Sequence, residues 1–262
     1  MLPEAQPEAR TDAQRVIDFK ERVMAMVKED VVLRGPMRIL GRSVDELLPS
    51  GHFGAVVARA GVGKTAFLIQ IAMDYLIRGK NVLHVGLKDP VDKVTLWYKE
   101  VFRNATANWS RKQSQEFWDA LLPHRFIMTF RAQSFSVPTL EERLSDLSEQ
   151  GVFIPDAIVI DGFDFTEPPR DTLLKLKSLV ENHSLCAWFT VRTHRHEPPG
   201  ADGIPVQLSG ISDLFTALVE LQPAENEIQV KSIKGVAESE DLPKMFLDPS
   251  TLLVKSVHSH TP

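Results

Sequence analysis

The 262-residue chain carries 30 Lys and Arg against 35 Asp and Glu, is 43% hydrophobic, and contains one cysteine. A protein held mainly by non-specific attraction to nucleic acid shows a basic excess, so that class is not favoured here. A disulfide framework needs more than one thiol and is excluded within the chain. The hydrophobic fraction suits one large globular domain, with or without an appendage.

Residues 1–10 are rich in Pro, Glu and Ala and read as a disordered tail. They lack the basic and apolar regions of a signal peptide. Over 11–30 the apolar positions Val16, Phe19, Val23, Met26 and Val27 fall three or four apart, as on an amphipathic helix that needs a surface to cover its stripe. The main domain is expected over 31–256, with a short tail at 257–262.

From Phe53 onward, apolar runs alternate with helical stretches. Phe53–Ala58 reads as a strand, a Gly-rich turn follows, and a helix is expected over Lys64–Arg78 with Gly79 ending it. Asn81–Gly86 is the next strand, Val91–Phe102 a helix, and Arg125–Arg131 a strand. Thr139 with Glu142 resembles a capping box for a helix through Leu147. Ala157–Asp161 is a strand, Arg170–Asn182 a helix, and Leu185–Arg192 a strand. Cys186, in that last run, reads as a small buried hydrophobe in a reducing compartment. Leu214–Leu221, Glu227–Lys231, Lys244–Leu247 and Thr251–Val254 read as closing strands.

Buried strands separated by helices predict an α/β fold. It has three layers: a mostly parallel central sheet, helices on both faces, and a C-terminal antiparallel extension. No apolar stretch reaches the roughly 20 residues a membrane span needs. A cytoplasmic protein without membrane contact is expected.

The segment Ala58 to Thr65 (ARAGVGKT) fits the phosphate-loop pattern, with Ala at its first position where Gly is commoner. Gly61 and Gly63 let the backbone curl so that successive N–H groups converge on phosphate oxygens. The helix that begins there adds its unpaired N–H groups and its dipole. Arg59, Ala60, Gly61, Val62, Gly63, Lys64, Thr65 and Ala66 are therefore the candidate nucleotide-binding residues. Lys64 can reach the terminal phosphates and Thr65 can coordinate Mg²⁺. Asp161 closes the apolar run Ala157–Ile160, about a hundred residues after this loop, with a strand between them. An aspartate at the carboxyl end of a buried strand lies on the ligand-binding edge of such a sheet, so Asp161 is the second candidate for the metal.

These residues resemble the RecA-like ATPases of the RadA, KaiC and DnaB-helicase type. The resemblance runs from about Arg38 to Val254 through GRSVDELLPSGHFGAVVARAGVGKT, VLHVGLKD, PTLEERLSDL, AIVIDGFD, the strand ending at Thr193-His194, and VKSIKG. It implies ATP with Mg²⁺ as the bound species and self-assembly, with the nucleotide at a subunit junction. It also implies that Lys231 reaches a neighbour's γ-phosphate; the family's nearby arginine position holds Ile233, beside Lys234. His194 falls where the family places a polar γ-phosphate sensor, and is equally readable as a surface histidine. The family's water-activating glutamate aligns with Lys88, which cannot act as that base while protonated; Asp89, next along, is the substitute.

Two functions follow as expectations. One is an oligomeric motor or switch ATPase. The other is an ATP-dependent regulatory module with little or no turnover, read by a protein partner. The stretch 197–210, which faces nucleic acid in the family, carries no Lys or Arg. The basic run Arg103 to Lys112, with Trp109, is a better nucleic-acid candidate, though a solvated loop with Trp109 folded onto the core is the plainer reading.

Overall fold

The computed structural model describes residues 47–131, 134–166, 170–225, 227–235 and 244–257. The tail expected at 1–10, the helix expected over 11–30, the domain's first residues to 46, and 258–262 lie outside the described residues.

Nine strands form one sheet in the order β3-β2-β4-β5-β1-β6-β7-β8-β9. The strands are β1 (Phe53–Arg59), β2 (Val82–Gly86), β3 (Arg125–Thr129), β4 (Ala157–Asp161), β5 (Cys186–Thr193), β6 (Phe215–Ala224), β7 (Glu227–Lys234), β8 (Lys244–Leu247) and β9 (Val254–Val257). The first six are parallel and the last three antiparallel. The helices are α1 (Lys64–Ile77), α2 (Val91–Ala105), α3 (Arg111–Leu121), α4 (Val137–Glu149) and α5 (Arg170–Asn182). No helix among the described residues is long and apolar enough to cross a membrane.

Alternation along each strand divides the core into two apolar clusters. Val56 and Ala58 of β1 join α1, α2 and α3 in one, while Phe53, Ala55 and Val57 join α4 and α5 in the other. The sheet is thus covered on both faces. Helix α1 is buried at every position from Ala66 to Ile77, as expected of a helix apolar all round.

Three boundaries differ from expectation. Helix α4 starts at Val137, two residues before Thr139, because Ser136 caps it; its hydroxyl accepts the Thr139 N–H at 3.2 Å. Pro138 suits that first turn. Residues 111–121 form a helix where only a basic loop was anticipated, opened by a reciprocal Ser110–Gln113 capping box and seated by Phe117 and Leu121. The last strand begins at Val254 and ends at Val257, because 248–253 form a turn. There the Asp248 carboxylate accepts the Ser250 N–H at 2.8 Å, and Leu252 and Leu253 pack on the core.

That turn is fastened to α1. Gln70, buried within α1, donates its side-chain amide to Leu252 O at 2.8 Å and accepts the Val254 N–H at 2.9 Å. Asn104 of α2 donates to Thr251 O at 2.8 Å. Replacing Gln70 by Leu orphans two backbone groups in an apolar setting, so Gln70→Leu is expected to lower stability by about 2 kcal/mol. Urea unfolding with an unchanged m-value is the measurement.

Candidate functional site

Strands β1, β2, β4 and β5 run parallel, so their carboxyl ends share one edge of the sheet. The β1–α1 turn stands on that edge. Gly61 and Gly63 both adopt positive φ, 76° and 100°, which an L side chain reaches only with strain. Gly63 is also tight: an added Cβ would lie 2.7 Å from Leu247 Cδ2 of β8. Phe67 N–H to Gly63 O, at 2.9 Å, joins the helix to the residue before it. The N–H groups of Lys64, Thr65 and Ala66 therefore precede the intrahelical ladder, and no side chain caps this end. Arg59 and Ala60 are exposed at the turn.

The Lys64 ammonium folds back over this turn, donating to Ala58 O at 3.0 Å and Arg59 O at 2.7 Å. The Thr65 hydroxyl donates to Asp161 Oδ2 at 2.8 Å across 96 residues of chain. Asp161 Oδ1 accepts the Thr190 hydroxyl at 2.6 Å, and Thr190 Oγ1 accepts the Gly162 N–H at 3.1 Å. Lys64, Thr65 and Asp161 thus meet, and Thr190 joins them. Thr190 was missed in the sequence; its only signal was a lone hydroxyl in the apolar run of β5.

The remaining candidates make other contacts. Asp89 is held by Lys93, whose ammonium donates to Oδ1 at 2.8 Å. Lys88, rather than Asp89, leans over the end of β4: a Cβ on Gly162 would lie 2.9 Å from Lys88 Cγ. His194 is exposed beyond β5 and lines a separate cleft of about 230 Å³ with Phe165, Glu197 and Gln207. Lys231 sits exposed in β7, opposite Glu220 and two strands from β1. Ile233 packs on the core, and Lys234 donates to Ser212 O at 2.9 Å. Trp109 folds against Phe117, ring centroids 5.4 Å apart, and is part of the core. Cys186 is buried against the Tyr75 hydroxyl at 3.0 Å.

Burial pushes the Lys64 ammonium down to about 8, against the pull of Asp161, and the charges of Arg192 and Lys88 push the same way. Chemically the edge offers convergent N–H donors and a cation, which suit a polyanion. It also offers a hydroxyl–carboxylate pair of hard oxygens, which fits Mg²⁺. Among the described residues no three His, Cys, Asp or Glu side chains gather, so a metal here would need oxygens from a ligand as well.

Comparison with protein-family models finds no match, and comparison with curated proteins finds none either.

The Lys64 shift carries a stability signature. The folded chain releases this proton near pH 8, whereas the unfolded chain holds it toward 10.5, the ordinary value for lysine. Between those values the unfolded state binds more protons, so stability rises with pH. The penalty is complete below pH 8. Wild type is therefore expected to gain stability from pH 8 to 10 relative to Lys64→Met, read from paired urea midpoints. Parallel curves would mean that the buried ammonium is not destabilised.

Proposed function

We propose that the chain is a RecA-like Mg-ATP-binding protein whose nucleotide lies on the β1–α1 turn. The observation that carries this reading is the meeting of Thr65 with Asp161 at 2.8 Å, directly beside a turn with two left-handed glycines and a lysine. A hydroxyl at the start of a helix and a carboxylate at the end of a neighbouring strand, flanking an amide-rich turn, together suit a triphosphate with its ion. Thr65 and Asp161 would hold Mg²⁺, Asp161 directly or through water. When bound, the ion neutralises phosphate charge. The amides of 61–65 orient the phosphates, and Lys64 exchanges its two carbonyl partners for phosphate oxygens.

The assembly reading, a homo-oligomer with nucleotide at the junction, draws on the exposed position of Lys231 on β7, where it is accessible to a second copy. One observation favours the slow, switch-like alternative over a motor. The Asp89 carboxylate is bonded to Lys93, and the end of β2 presents Lys88, a cation. Neither arrangement supplies a free base for water.

Calorimetry with Mg-ATP tests the binding. Lys64→Ala is expected to weaken affinity by about tenfold or more, the value of one charge-assisted hydrogen bond. Absence of heat from folded wild type with Mg-ATP, Mg-ADP or guanine nucleotides removes the reading. Steady-state phosphate release tests turnover. Wild type and Asp89→Ala are expected to be equally slow, while a large loss in Asp89→Ala would make that carboxylate the base.

A further inference from the structure

A second concave site lies between α2 and α3 and shares no residue with the β1–α1 edge. It is a groove of about 590 Å³, within the range of about 300–1,000 Å³ typical of small-molecule pockets. Two adjacent helices usually turn aliphatic residues toward each other at three- and four-residue spacing. Here α2 contributes Lys99, Phe102 and Arg103, and α3 contributes Arg111, Gln115 and Trp118.

No carboxylate lines the groove. Acids on the same helices are engaged: Glu100 with Arg103 at 2.5 Å, Glu116 with Lys112 at 3.9 Å, and Asp119 with Gln115 at 2.9 Å. Lys99 and Arg111 form no ion pair among the described residues. Two unpaired cations, Lys99 and Arg111, with Arg103 shared with Glu100, form a local concentration of positive charge in a chain of net charge -5. The aromatic wall is fixed: Phe102 and Trp118 lie 4.9 Å apart between centroids. The Arg125 guanidinium stands 5.3 Å from the Trp118 ring and 4.7 Å from that of Tyr98.

We infer that this groove binds a nucleoside phosphate, its ring against the half-buried Trp118 and its phosphate between Lys99 and Arg111. A planar body with concentrated negative charge uses both halves of the lining, through aromatic contact and charge-assisted hydrogen bonds. Size selects a mononucleotide. From Lys99 to Thr106, the cap just past α2, the lined stretch spans about 10 Å at the helical rise, under two turns. That is too short to grip an acidic helix.

The inference stands apart from the β1–α1 reading, and the test keeps them apart. Full-length Lys64→Ala is titrated at low salt with AMP and GMP by calorimetry. Binding is expected to persist, then fall at least about tenfold on adding Arg111→Glu or Lys99→Glu, both exposed positions that leave the core intact. Trp118→Leu is expected to weaken AMP while leaving inorganic pyrophosphate unchanged. The inference is overturned by no mononucleotide binding in Lys64→Ala, or by binding indifferent to both charge reversals. It is equally overturned by pyrophosphate binding as tightly as AMP, or by oligo-dT binding while mononucleotides do not.

Discussion

The arrangement depends on one carboxylate. Asp161 accepts a hydroxyl from Thr65 at the start of α1 and another from Thr190 in β5, so three segments far apart in sequence are pinned at one point. The parallel register makes the second contact possible, because Ile160 of β4 pairs with Phe189 of β5 and so brings Asp161 beside Thr190. Each hydrogen bond to an ionised group is worth more than a neutral one, and together they hold the turn that carries Lys64. The Lys64 ammonium then has few places to go and closes on the turn's own carbonyls. Its lowered proton affinity is the electrostatic mark of that confinement.

Much of this frame was readable from residue order. Ala157–Asp161 and Arg170–Asn182 occur as anticipated because their local signals agree with their environment: an unbroken apolar run for a strand covered on both faces, a three-four stripe for a helix on one. The α/β layering follows from the same alternation. Helix α3 was overlooked although Ser110 and Gln113 spell a capping box, because the charges of Arg111 and Lys112 drew attention to the surface instead. Those charges are exposed, on a helix whose buried residues are Phe117 and Leu121. The last strand was misplaced because Leu252 and Leu253 look like strand residues, whereas they pack on the core from a turn.

Side-chain partners were less legible than elements. Asp89 was a reasonable substitute for a missing glutamate by position, yet Lys93 sits one helical turn further on and forms an i, i+4 ion pair with it. Lys88 extends over Gly162, where the lack of a side chain leaves room for its stem. His194 and Lys231 lie where loop course and strand register carry them, and order along the chain specifies neither. Thr190 illustrates the converse: a polar atom buried in a sheet needs a partner, and its partner is the very aspartate that the sequence marked.

The Gln70 amide has a consequence beyond holding a turn. It couples the helix that rises from the glycine turn to the outermost strand of the sheet, and Leu247 rests against Gly63 from the same side. The antiparallel extension is therefore a wall of the turn rather than an ornament at the sheet's margin. One buried amide thus joins the helix that begins within residues 61–65 to the start of β9.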